Sequence, residues 1–460
     1  MLVRRRKLVI AVGVMLACIA GASTAAVGHT RSAAGVLNQL LPPPDGEAYF
    51  GFTFRLWNST DPAVGDSRTF DQRIQDSIQN ELAGKTPTFL TVWAGWQDFP
   101  GGSLVPFSAS SRDIAEVQRV TGASSMLYLD WTLTTTTAQN GGVTTKDIAA
   151  GKLDGYIRQY AQGLKAYAGP VLIRLFGGEF NGSWWYGVSP LANPNLTAAD
   201  FVAAWQRVVN IFRAVGAANV SFAWIPNVYP PTPVTWVDSN IAAYYPGDSY
   251  VDWTGADIYD NVPMSWLDSV YAFAVAHAKP FFLAEWGVRL GGSTLTPAQD
   301  QAWIGSMFDY FESHPDAKAI NYFNYNNRST WDPSKAIDLD GGQVNYMPNV
   351  ADGDSRLLAQ SGANFQGTYS SRIANPRYTS TILTRQITPP IQCLVPNVKN
   401  RPLATARRMI LARHCSIGGI RRAYSKHVKK GRVISQKPRP STLVPNHSKV
   451  TLVASRGRKP

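Results

Sequence analysis

Cysteine is close to absent from this chain, with three in 460 residues. Cys18 falls in an amino-terminal apolar stretch, and Cys393 and Cys415 lie far from any cluster of candidate ligands. The six histidines are scattered, so no spacing suggests a metal site, and none is expected. No glycine-rich phosphate turn follows the first apolar run, and no cofactor is expected either. Charged residues are sparse, at 16% against 45% hydrophobic. One stretch lacks acids altogether: Lys399 to Pro460 holds 17 Lys and Arg and not one Asp or Glu. Removing those 17 charges from the net +13 leaves −4, so the body of the chain is mildly acidic and no nucleic-acid partner is expected.

What is abundant is aromatic: 14 Trp within an 11% aromatic content. Some of these rings are expected to face a ligand. The start of the chain has a basic Arg4–Lys7 segment, about a dozen apolar residues and small residues at Ser23–Ala26, the anatomy of a secretory signal over residues 1–26. A membrane anchor is the competing reading, but a spanning helix wants roughly 20 apolar residues. The chain is therefore expected to be secreted, with wall or membrane association left open. In an exported protein, Cys393 and Cys415 suit a single local disulfide.

From residue 49 to 325, short apolar runs alternate with helical patterns. The eight runs cover residues 49–54, 88–95, 125–131, 171–177, 220–225, 251–258, 281–286 and 319–325. Repeated β-α units predict a parallel sheet, and eight strands predict closure into an α/β (β/α)8 TIM barrel over 40–345. An open doubly wound sheet also alternates, but polar and aromatic residues crowd the strand ends here, as at a barrel mouth. Residues 346–375 read as a post-barrel segment with a short helix near Asp354–Gln360. Residues 376–460 read as a basic, largely disordered extension, because Pro389, Pro390 and the acid-free run break any pattern. Such a tail is suited to anionic cell-envelope polymers, or is an extension without a role.

Two segments carry candidate chemistry. In VLIRLFGGEFNGSWWYG, an apolar strand ends in Gly177 and Gly178, which permit a sharp turn, and delivers Glu179 beside Trp184 and Trp185. Apolar neighbours favour the protonated form that a general acid needs. In KPFFLAEWG, a buried strand ends in Glu285 and Trp286, and an acid placed there is costly unless paired. Either glutamate alone reads equally as a rim acid or a cap. Together they end the fourth and seventh of eight runs, across a barrel mouth from each other. Retaining glycosidases need two carboxyl groups about 5–5.5 Å apart, so the pair predicts that chemistry.

These segments resemble glycoside hydrolase family 26, together with FVAAWQRVVNIFRAVGAANVSFAWIPN at 201–227 and YYPGDSYVDWTGADIYD at 244–260. The resemblance covers about 49–345 and implies a monomeric endo-β-glycanase acting on β-mannan or mixed-linkage β-glucan. It implies Glu179 as acid/base, Glu285 as nucleophile, Tyr259 as a hydrogen-bond donor to the nucleophile, and Asp257 nearby. Asn181, Arg174 and Trp184 match the family pattern at the sugar site. Trp93, Trp96, Trp131, Trp286 and Trp331 sit at strand ends where they can line sugar subsites. Two departures stand out. Gly178 replaces the aromatic or histidine usual before the acid/base, and Arg174 precedes Glu179 by five residues instead of four. A bulge at the strand end would reconcile both. A carbohydrate-binding protein that has lost catalysis is the alternative reading.

Overall fold

Period-two alternation governs the centre of the molecule. The computed structural model describes residues 36–53, 69–97, 103–122, 125–133, 142–183, 188–260, 262–289, 295–324, 357, 359–360, 362–388 and 392–459. The expected signal and Trp184, Trp185 and Trp331 lie outside the described residues. The eight runs form eight strands: β1 (Ala48–Thr53), β2 (Phe89–Gly95), β3 (Leu127–Thr132), β4 (Val171–Leu175), β5 (Val220–Trp224), β6 (Trp253–Tyr259), β7 (Phe281–Gly287) and β8 (Ala317–Phe323). Each pairs in parallel with the next, and β8 pairs back onto β1 from Tyr49↔Ala319 to Thr53↔Phe323. The sheet is therefore a closed (β/α)8 barrel.

Alternate residues point to opposite sides of each strand. Phe89, Tyr128, Leu172, Trp253 and Phe282 fill the interior. Leu90, Leu129, Ile173 and Leu283 pack outward against the helices. In the interior, Asn321 Nδ2 donates to Thr53 Oγ1 (2.9 Å) and to the Ala284 carbonyl (2.8 Å), satisfying polar groups that burial would otherwise penalise.

The helices start where capping chemistry permits. α1 (Phe70–Asn80), α3 (Thr145–Ala149), α5 (Ala198–Val215) and α7 (Pro297–Ser313) each open on a threonine capping box, at Thr69, Thr144, Thr197 and Thr296. α2 (Ser111–Thr121) and α4 (Asp154–Tyr167) complete the set before β4, and α6 (Leu267–Ala276) and α8 (Phe365–Ile373) follow β6 and β8. Between β5 and β6 there is no α-helix, only 3-10 turns at Ile241–Tyr244 and Asp248–Tyr250. Asp252 fixes the entrance to β6 by accepting from the Phe222 amide at 2.8 Å. The short helix expected near Asp354–Gln360 is not found in the described part of that segment: Ala359–Gln360 pairs with Ala363–Asn364, and α8 begins at Phe365.

The expectation of a disordered tail is overturned. Residues 392–459 fold around α9 (Leu403–Leu411) and a three-stranded sheet of β9 (Ser416–Ala423), β10 (Val433–Lys437) and β11 (Lys449–Ser455), in the order β9-β11-β10. Val395, Val398, Ala406, Ile410, Val433, Val450 and Leu452 form a core beside the Cys393–Cys415 disulfide. Composition misled because exposed cations repel only weakly in water and salt, while the alternation in KVTLVAS supplies an apolar face. A core this small leans on its crosslink. Closing a loop of 22 residues is worth about 3 kcal/mol. Cys393→Ala/Cys415→Ala is expected to destabilise this module by about that much, read as faster proteolysis after residue 392 with barrel unfolding unchanged.

Candidate active site

Register brings the polar residues together at the carboxy-terminal end of the barrel. Trp93, Asp130 and Arg174 stand side by side on β2, β3 and β4. Asp257 pairs with Glu285 across β6 and β7. Parity alone would turn Glu285 outward, because Phe282 and Ala284 face the interior. The β6–β7 register shifts between Ala256 and Asp257, a bulge at Ala284 that re-aims Glu285 to the mouth and sends Trp286 into the helix layer.

Arg174 is the cation of this cluster. Its Nη1 donates to Glu285 Oε2 (2.7 Å) and lies 3.4 Å from Asp130 Oδ2, and its Nη2 donates to Asp257. Tyr259 donates its hydroxyl to the other Glu285 oxygen at 2.6 Å. Both Glu285 oxygens thus accept from a donor. Burial pushes the Asp257 carboxyl well above the ordinary carboxylate range; Arg174 opposes this, and Glu285, Glu179 and Asp130 reinforce it. Burial likewise raises Asp130. Burial works against the Arg174 charge, but Asp257, Asp130 and Glu285 more than offset it and hold the guanidinium firmly charged. Tyr259 is raised by burial and by Glu285, so it stays a donor.

Glu179 reaches the same site by another route. After Leu175 the chain takes four successive positive φ values, at Phe176, Gly177, Gly178 and Glu179 (65°, 82°, 64° and 46°). This left-handed turn, and not a ladder bulge, absorbs the extra residue between Arg174 and Glu179. A Cβ at Gly178 would lie 2.2 Å from Arg174 Nε, so a side chain there would displace the guanidinium. The Glu179 amide donates to the Ile225 carbonyl (2.8 Å), and Asn227 Nδ2 donates to Glu179 Oε1 (2.6 Å). Asn227 is held in turn by Asn181, whose Oδ1 accepts from the Asn227 amide (2.8 Å) while Nδ2 donates to the Asn227 and Asp238 carbonyls. The negative charges of Glu179 and Glu285 both help to raise the Tyr259 hydroxyl and the Asp257 carboxyl above their ordinary values.

The remaining candidates separate by strand parity. Trp93 faces the mouth, partly exposed, 6.0 Å from the ring of Phe323, which lies 6.0 Å from Tyr259. Trp96, Trp131 and Trp286 are corrections: all are fully buried. Trp96 stacks on Trp131 and Trp131 on Tyr160, while Trp286 packs edge-on to Phe308 and Tyr322. They are core, not sugar platforms. Arg174, Asp257 and Asn181 are also too buried to meet a sugar and act by positioning other residues. Sequence reasoning missed Asn227, Asp130 as a partner of Arg174, and Phe323. Only period-two alternation, which puts Asp130 on the side of Tyr128 and Phe323 on that of Asn321, and the terminal Asn of the 201–227 segment hinted at them.

Residues 129–331 match the model of glycosyl hydrolase family 26. The barrel belongs to that family. A second model, the PASTA domain, matches residues 394–456. Endoglucanase H of Acetivibrio thermocellus is 32% identical over 203 residues, 41% of this chain and 21% of that protein. Mannan endo-1,4-beta-mannosidase A and B of Caldalkalibacillus mannanilyticus is 27% identical over 206 residues, 41% of this chain and 36% of that protein. The chain thus spans a fifth to about a third of the length of these curated relatives. A solved family 26 β-mannanase from Bacteroides ovatus is 16% identical, with 73% of this chain and 90% of that chain covered and a TM-score of 0.46.

Two stability outcomes follow from the family 26 cluster. Arg174→Met leaves three carboxylates facing one another and is expected to cost about 3–5 kcal/mol in urea unfolding. Asp257 has a raised pKa in the fold, so its contribution is complete below about pH 4 and is lost as pH rises through the folded value. Asp257→Asn is expected to lose less stability than the parent between pH 4.5 and pH 7. An identical loss in both proteins would show that Asp257 is ionised throughout.

Proposed function

We propose that this chain is a secreted, retaining endo-β-glycanase that cuts β-mannan or mixed-linkage β-glucan. The observation that carries the reading is the pair of donors on Glu285. A carboxylate that accepts from Arg174 on one oxygen and from Tyr259 on the other is held in a fixed orientation, as a nucleophile requires. In the first step Glu285 attacks the anomeric carbon while Glu179 gives its proton to the departing oxygen. In the second, Glu179 takes a proton from water, which attacks the same carbon and releases Glu285. Asn227 is a positioning residue: its N–H donates to Glu179 Oε1 and fixes the orientation of the carboxyl group.

Trp93, partly exposed and backed by Phe323, offers a ring face for the apolar side of a sugar. The β-glucan and β-mannan choices rest on the names of the two relatives above. Gly178, which favoured a binding-only protein, has a packing reason in its contact with Arg174. The PASTA-like module with its acid-free charge supports retention at the cell envelope on anionic polymers; among the described residues no helix is long and apolar enough to cross a membrane.

Reducing-sugar release from mannan, mixed-linkage glucan, cellulose and xylan, with product sizing, tests the reading. Glu285→Ala is expected to fall to background and Glu179→Ala by at least about 100-fold. Asn227→Ala is expected to lower kcat more than it changes KM. Equal release from the parent and both glutamate variants would make the chain a binder and not a hydrolase.

A further inference from the structure

Two properties of the carboxy-terminal module meet on one face of its sheet. β11 runs between β9 and β10 and buries Val450, Leu452 and Ala454, so Thr451 and Val453 face the other way. Arg421 on β9 stands beside Val453, and Lys437 on β10 stands beside Thr451. Ile417 pairs with Val450 and Ile420 with Leu452, so two residues of β9 oppose the single Thr451. Those two are Gly418 and Gly419, and they form a bulge. A Cβ at Gly418 would lie 2.8 Å from Thr451 Cγ2, whereas a Cβ at Gly419 would meet nothing within 4 Å.

The bulge opens a groove of ≈370 Å³, with Gly419, Thr451, Val453 and Ser435 along its floor and Arg421 and Lys437 on its banks. The two edge strands of a three-stranded sheet are about 10 Å apart. Two cations so placed serve two anionic groups of one ligand, not a single ion. With 17 Lys and Arg and no acid from Lys399 onward, no carboxylate in the module neutralises them. The floor presents the Thr451 and Ser435 hydroxyls and backbone beside the Val453 side chain, a mixed surface of the kind a sugar chain also has.

We propose that this groove binds a polymer of repeated carboxylate or phosphate groups, the chemistry shared by acidic polysaccharides and phosphodiester wall polymers. It rests on the reading that the module retains the enzyme at the envelope, and names the site that does so. Full-length protein is titrated with polygalacturonate, inorganic polyphosphate, a neutral glucan and duplex DNA at about 0.15 M salt. Arg421→Gln/Lys437→Gln is expected to weaken polyanion binding by about tenfold or more. Gly419→Phe, which fills the groove and changes no charge, is expected to do the same. Arg407→Gln/Arg408→Gln on α9, exposed and away from the groove, is expected to cost less than about threefold. Circular dichroism of each variant guards against misfolding.

Equal loss in the two double variants with Gly419→Phe unaffected means diffuse attraction, and the groove is discarded. Tighter binding to DNA than to either polymer overturns the ligand class. Polygalacturonate against polyphosphate decides whether carboxylate or phosphate is the natural group. If the parent binds no polyanion, envelope retention itself fails, whatever the variants do.

Discussion

A single guanidinium holds the mouth of this barrel together. Arg174 is buried among Asp130, Asp257 and Glu285, and without it three acids would face one another with no cation between them. Its planar fork answers two carboxylates at once, which a lysine ammonium would do with less directional control. The demands of this one side chain reach into the backbone. Gly178 is glycine because Arg174 Nε occupies the place of a Cβ, and the chain must then coil left-handed to bring Glu179 back to the site. The orientation of Glu285, the ionisation balance of Asp257 and the composition of the following turn are three consequences of one placement.

Both glutamates come to the site through irregular backbone. The bulge at Ala284 breaks the parity of β7, and the turn from Phe176 to Glu179 leaves β4 altogether. Regular strands supply the scaffold and the buried cations and acids. Irregularity supplies the two glutamates. This division is common in proteins, where strain and bulges gather at sites that must present a side chain against the local rule.

The barrel was legible because its signal is redundant. Eight apolar runs, each found within two residues of its strand ends, need only period-two burial and short connections to be read. The same alternation would have sorted the tryptophans: Trp93 shares parity with Asp130's layer, while Trp96 and Trp131 belong to the layer of Leu129 and Val92. Trp286 was not legible, because its direction depends on a bulge that leaves no mark in FFLAEWG. Asn227 was equally hidden, since its importance comes from a hydrogen bond between segments 48 residues apart. The carboxy-terminal module was misjudged for a different reason. Net charge dominated the reading, although the buried valines and the cysteine pair carry the folding information.

The two glutamates are mounted on separate supports. Glu285 belongs to a barrel strand, while Glu179 is suspended from the helix-free link after β5, through Ile225, Asn227 and the Asn181 tie to Asp238. A strand in a closed ring tolerates little change, because its neighbours on both sides must shift with it. A surface link has more freedom. Change along 228–240 therefore shifts the support of Glu179 and leaves that of Glu285 in place, so the positions of the two carboxyl groups are set independently of each other.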